Sequence, residues 1–105
     1  MNDTEALRDT LRHQANVEFP AAAKAGGYPI RLNHCFLRVV YDNLFGARWQ
    51  TKLAKGKPAI RQLTDAQLER AIEIGQAVID DKATCVELNR KSLDWRGKVG
   101  PKGAR

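Results

Sequence analysis

Three side chains that could support chemistry stand four residues apart in one apolar stretch. The stretch NHCFLRVVYDNLFGARW, residues 33–49, contains His34, Arg38 and Asp42. On an α-helix, residues four apart differ by about 40° around the axis, so these three would share one face. A histidine that is oriented by a carboxylate can act as a general acid or base, and a neighbouring arginine can bind an anion.

Three interpretations of this face are open. In a structural network, Arg38 and Asp42 form an i, i+4 ion pair and the neighbouring rings pack inside the chain. In a protein interface, the mixture of rings and arginine is the contact surface, and a two-fold dimer would use it twice. In a ligand site, His34 titrates and Arg38 binds an anion. The residues assigned to a ligand site or an interface are His34, Arg38, Tyr41, Asp42, Phe45 and Trp49.

Other signals of catalysis are absent from the sequence. The motifs of phosphate-binding loops, dinucleotide-binding folds, esterase elbows and zinc proteases do not occur. Cys35 and Cys85 lie far apart and lack metal-ligand spacing, which predicts free thiols. The sequence therefore predicts no metal site and no cofactor, and it assigns no catalytic residue. For the face itself we favour the structural network.

Apolar residues at helical spacing predict an all-α domain of three main helices and one short Ala-rich turn. The first helix covers residues 3–16, and the Ala-rich turn begins at Pro20. The central helix begins near Asn33 and runs to about Ala54. Gly46 lies inside it on the apolar face, where we expect another helix to come close.

The strongest helix signal begins at Thr64. Thr64 is the N-cap, Gln67 completes a capping box, and two flanking leucines form a hydrophobic staple. The amphipathic helix that follows can reach Asp94. The weak helix formers of DDKAT, residues 80–84, predict a bend or an interruption within it.

The composition predicts one soluble domain. The chain has 105 residues, of which 43% are hydrophobic and 29% are charged, and a core of ordinary size is possible. No window is apolar enough for a membrane span, and the polar, acidic N-terminus does not resemble a signal peptide. We therefore expect a cytoplasmic protein without a membrane partner, with a helical domain over residues 1–95 and a basic, glycine-containing tail over residues 96–105.

Positive charge is concentrated in two segments that flank an acidic one. The net charge is +6, and residues 31–61 hold seven basic side chains against one acidic side chain. Such clusters are typical of proteins that bind phosphate backbones, although segments of opposite charge can also pair within one molecule or between copies. The residues assigned to polyanion binding are Arg48, Lys52, Lys55, Lys57, Arg61, Arg96 and Lys98.

The pattern H-C-F-x-R-x-x-x-D at residues 34–42, with Trp49 and the later LNRKSLDWRGK, resembles a group of small bacterial proteins. These are sometimes labelled as related to GNAT-type acetyltransferases, and the resemblance covers roughly residues 28–98. It implies acetyl-coenzyme A binding by a mixed sheet and an Arg/Gln-x-x-Gly-x-Gly/Ala loop. The sequence contains neither strand signals nor that loop, so we transfer no catalytic residue.

Together these observations predict a non-enzymatic helical binding or interaction module. A three-helix core of this size is marginal alone, which favours a homo-oligomer that buries the ring-bearing face. The other expected partner is nucleic acid or another polyanion. The alternative is a small acetyltransferase-like or other enzyme whose His34, Arg38 and Asp42 bind an anionic ligand.

Overall fold

The computed structural model describes residues 3–97, and every regular element among them is helical. The predicted all-α fold is confirmed. None of these helices is long and apolar enough to cross a membrane. In chain order the elements are α1 (Asp3–His13), a π-helical turn (Gln14–Glu18), α2 (Phe19–Gly26), α3 (Asn33–Phe45), a 3₁₀ turn (Trp49–Thr51), α4 (Ala59–Gln62), α5 (Asp65–Asp80) and α6 (Lys82–Trp95).

The sequence predicts a first helix that stops at residue 16. In the structure, the helical run continues through the π turn into α2. The buried side chains Leu11, Ala15, Phe19 and Ala23 are four residues apart. In a regular α-helix this series would rotate by about 120° over its length. A π turn holds more residues than an α turn and removes part of that rotation. All four side chains can therefore face the same core.

The central helix α3 is shorter than predicted. It ends at Phe45 rather than Ala54, because Gly46 adopts a left-handed conformation with φ of 66° and caps the helix. A Cβ placed on Gly46 would meet no atom within 4 Å. The expectation that another helix packs closely on Gly46 is therefore wrong.

The two local predictions for the second half of the chain are confirmed. Thr64 and Gln67 form both hydrogen bonds of the capping box at the start of α5. The helical run breaks at Asp81, whose extended backbone separates α5 from α6. The Asp81 carboxylate then caps α6 by accepting a hydrogen bond from the Thr84 N–H at 3.1 Å.

The close helix approach lies at Gly75 on α5. A Cβ there would stand 2.6 Å from Oε1 of Gln14 and 2.9 Å from Cζ of Phe36. Gln14 is buried in the π turn, and its amide donates to the Ile72 carbonyl of α5 at 3.1 Å. The Phe36 ring of α3 packs on Phe19, with ring centroids 4.8 Å apart. Gly75 thus lets the π turn, α3 and α5 meet in one core.

We predict that Gly75→Ala destabilises the fold by about 1–3 kcal/mol, because overpacking outweighs the gain in helix propensity. Urea unfolding followed by circular dichroism measures this loss. Ala77→Gly, at an exposed position of the same helix, is the matched control and should show the ordinary preference for alanine. Gly75→Ala combined with Gln14→Ala should lose less than the sum of the single changes. A Gly75→Ala protein more stable than the wild type would contradict the packing.

Candidate functional site

The carboxylate of Asp42 on α3 is fully buried and joins three parts of the chain. Its Oδ2 accepts hydrogen bonds from Ser92 Oγ at 2.7 Å and from Arg96 Nε at 2.6 Å. Its Oδ1 accepts from Arg96 Nη2 at 3.0 Å and from the Trp49 backbone N–H at 2.9 Å. Arg96 also donates to Oε1 of Gln50 at 2.9 Å. A charged, bidentate pair therefore fixes the 3₁₀ turn and the end of α6 against α3.

This arrangement corrects the predicted pairing of Arg38 with Asp42. Arg38 instead donates from Nη2 to Oδ1 of Asn89 on α6. The carboxylate of Asp42 is taken by Arg96, which the sequence placed in the tail. The sequence did contain a signal for this contact, since Asn89, Ser92 and Arg96 follow one another at spacings of three and four. They form a polar stripe along α6 and its C-cap residue, Arg96, that matches the spacing of Arg38 and Asp42 on α3.

A surface cleft of about 450 Å³ lies beside this network, between α1, α3, the 3₁₀ turn and the start of α4. Leu37, Tyr41 and Trp49 form part of its wall, and the Tyr41 and Trp49 rings meet edge to face with centroids 5.8 Å apart. Its volume falls in the range of small-molecule sites. The residues that line it are Arg12, Asn16, His34, Leu37, Arg38, Tyr41, Trp49, Pro58, Ala59 and Ile60.

Two polar side chains in this cleft have hydrogen-bonding capacity that the described part of the chain does not use. No group in residues 3–97 bonds the Tyr41 hydroxyl, which keeps some contact with solvent although the residue is only 4% exposed. The Nε of Arg38 is buried and also lacks a partner. Buried polar groups are nearly always paired. Arg12 differs, because Glu5 and Asp9 already hold its guanidinium at 3.0 and 2.9 Å.

The structure therefore brings together four of the six residues assigned to the ligand or interface face. His34, Arg38, Tyr41 and Trp49 line the cleft, although Trp49 reaches it from the 3₁₀ turn and not from α3. Asp42 is buried behind it, and Phe45 is half-buried against the core. The oligomer that the sequence analysis inferred from these rings stays a prediction.

The residues assigned to polyanion binding fall into three groups. Arg48, Lys52, Lys55 and Lys57 are exposed on the segment 46–58 that joins α3 to α4. Arg61 is exposed but lies 3.4 Å from Glu5, and Arg96 is held by Asp42. Lys98 lies outside the described residues, as does the tail beyond Gly97.

The basic segment has a fixed conformation near its end. The Gln62 side chain accepts from the Ala54 N–H at 2.8 Å, and it donates to the carbonyls of Ala54 and Lys57, both at 3.1 Å. Gly56 provides the left-handed turn between them, with φ of 78°. Backbone groups that a loop leaves unpaired are thus satisfied by one side chain of α4.

Comparisons of the chain with models of protein families, with curated proteins and with solved structures give no match. The resemblance to the small bacterial proteins with the H-C-F-x-R-x-x-x-D pattern therefore stays a prediction. Evidence on function comes from the geometry of the cleft and of the basic segment.

We predict that removing Arg96 harms the fold more than neutralising Asp42. Arg96→Met leaves a fully buried carboxylate without its cation, a loss on the order of 3–5 kcal/mol. Asp42→Asn should lose about 1–3 kcal/mol, because the Arg96 side chain is 13% exposed and can turn into solvent. The double variant Asp42→Asn/Arg96→Met should be more stable than Arg96→Met alone. Urea unfolding of the four proteins tests the order, and equal losses for both single variants would contradict it.

Burial raises the pKa of Tyr41 to about 12, while the charge of Arg12 acts in the opposite direction. An unfolded tyrosine ionises near pH 10, so the folded state holds this proton more tightly between pH 10 and 12. The contribution of the neutral Tyr41 to the free energy of unfolding is fully present below pH 10. It is lost as the pH rises from 10 to 12. Unfolding measured across the window should show a steeper loss for the wild type than for Tyr41→Phe. Equal slopes would show that Tyr41 is not buried in this way.

Proposed function

We propose that this chain is a non-enzymatic binding module for nucleic acid, which it contacts through the basic segment 46–58. The observation that carries the proposal is the group of four exposed cations on a connection whose backbone is held in place. Arg48, Lys52, Lys55 and Lys57 are exposed, and residues 43–64 contain no acidic side chain. Clustered lysine and arginine side chains provide the electrostatic attraction on which non-specific nucleic-acid binding depends.

Internal charge balance is the competing explanation, and the ion pairs of the described residues argue against it for this segment. Opposite charges within the chain account for Arg61 and Arg96, which pair with Glu5 and Asp42. The four cations of segment 46–58 take part in no ion pair within residues 3–97. Their charge is available to a partner.

The fixed backbone of the segment supports binding further. Ordering a flexible loop opposes association, since each immobilised residue loses conformational freedom. Here the three hydrogen bonds of Gln62 already order residues 54–57 in the free chain. The exposed side chains of Lys55 and Lys57 can therefore meet phosphates with a smaller entropic loss.

The enzyme alternative needs a carboxylate next to His34, and Asp42 does not provide it. Asp42 is fully buried, does not line the cleft, and accepts hydrogen bonds from two side chains and one backbone N–H. A carboxylate in this position fixes structure and has no access to a ligand in the cleft. The proposal is therefore binding and not catalysis.

We predict that Lys52→Gln/Lys55→Gln/Lys57→Gln weakens binding to labelled duplex DNA, structured RNA and single strands. Fluorescence anisotropy at several salt concentrations should show that the slope of log K against log[salt] becomes shallower by about 2–3, because each lost phosphate contact contributes about 0.7–0.9. The triple variant should stay folded, since all three side chains are exposed.

The matched control is Lys24→Gln/Lys82→Gln/Lys91→Gln, which removes the same charge from exposed positions on α2 and α6. This control should keep most of the wild-type affinity and the wild-type slope. Equal effects of the two triple variants would mean that net charge alone attracts nucleic acid. Absence of binding by the wild type at low salt would refute the proposed function.

A further inference from the structure

We propose that the cleft holds one unpaired nucleotide, with its base against Trp49 and its phosphate beside Arg38 and His34. This inference deepens the proposed function and rests on it, because it names the form of nucleic acid that the module takes. Single-stranded nucleic acid is commonly bound by a basic groove in which bases stack on aromatic side chains. The observations that lead to it are a set of adjoining concavities and two unused polar groups.

Trp49 lies where three concavities meet. The cleft of about 450 Å³ is on one side, lined mainly by apolar groups such as Leu37 and Ile60. A concavity of about 290 Å³ adjoins it and shares His34, Arg38 and Trp49 with it, and Arg96 also lines this second concavity. A third concavity, of about 220 Å³, runs from Trp49 along the basic segment to Lys57.

The division between these concavities matches the two halves of a nucleotide. A base is flat and largely apolar, with hydrogen-bonding groups on its edge, and it suits the cleft with the aromatic wall. A phosphate suits the adjoining concavity, where Arg38 has no carboxylate partner within the described residues and His34 is exposed. The third concavity leads a continuing strand past Lys55 and Lys57.

The unused polar groups suit the edge of a base. Tyr41 lines the cleft and its hydroxyl has no partner among the described residues, so it can donate to or accept from a base edge. The Nε–H of Arg38 is a donor that stays buried and unpaired in the free chain. A ligand that bonds the Tyr41 hydroxyl replaces the hydrogen bond to solvent that an apolar ligand would remove without replacement, and one that reaches Arg38 Nε also pairs a buried donor. This favours a nucleotide over an aliphatic acid of similar size.

The experiment uses the full chain with Trp95→Phe, so that fluorescence reports on Trp49 alone. The probes are a single strand of about 12 nucleotides, an abasic sugar-phosphate strand of the same length and a duplex of the same sequence. Adenosine monophosphate is the free-nucleotide probe. The normal strand should quench Trp49 and bind at least about fivefold more tightly than the abasic strand, the contribution of one stacked base.

Tyr41→Phe tests the cleft without removing its ring. It should reduce the affinity for the normal strand about two- to tenfold and leave the affinity for the abasic strand unchanged. Tyr28→Phe is the matched control, because its hydroxyl donates to the Ile79 carbonyl at 2.7 Å and does not line the cleft. This control should bind both strands as the wild type does. Circular dichroism of each variant confirms that it is folded.

The outcomes separate this inference from the proposed function. Equal binding of normal and abasic strands overturns the nucleotide site and leaves the basic segment as the whole interface. Tighter binding of the duplex without a change in Trp49 fluorescence also overturns the nucleotide site and leaves the basic segment as the interface. Quenching by adenosine monophosphate without binding of any strand supports the nucleotide site but refutes the proposed function. Absence of both quenching and binding overturns the two together.

Discussion

A single buried charge, the carboxylate of Asp42, sets the conditions that the rest of this molecule must meet. An unpaired carboxylate in a core would be strongly destabilising, so the chain has to supply donors for it. It does so from α6 through Ser92 and Arg96, and from the backbone of Trp49. Because one of these donors is the N–H of Trp49, satisfying the charge also positions the ring that forms the wall of the cleft. Stability and the shape of the surface site are therefore coupled.

The cleft differs from Asp42, because some of its polar groups have no hydrogen-bond partner. Its Tyr41 hydroxyl and Arg38 Nε are left without partners in the described part of the chain, although a small domain has little stability to spare. Such groups occur in proteins where they serve a ligand, but the buried Oε1 of Gln14, which does not line the cleft, also lacks a partner. Asp42 and Arg38 stand one helical turn apart on α3, so one face of this helix contains both a fully satisfied polar group and an unsatisfied one.

Sequence patterns predicted those features that depend on neighbouring residues. The capping box at Thr64 and the break at Asp81 involve groups within three residues of each other, and both were correct. The predicted partner of Asp42 was Arg38, because helical spacing indicates a residue four positions away. This prediction was wrong, since the actual partner, Arg96, lies 54 positions along the chain. The prediction that Gly46 lies inside the helix and allows close packing was wrong, since a glycine can also end a helix, and only the tertiary structure decides between these roles. Tyr41 and Trp49 were correctly grouped, but through a loop and not a continuous helix.

The π turn at residues 14–18 has a consequence for how the length of this chain can change. Deleting one residue there would convert the turn to regular α-helix with every backbone hydrogen bond retained, so local secondary structure would tolerate it. The flanks, however, would rotate relative to each other, and Phe19 and Ala23 would no longer face the core together with Leu11. Insertions and deletions in homologous chains should therefore avoid this turn, although its own hydrogen bonds would permit them.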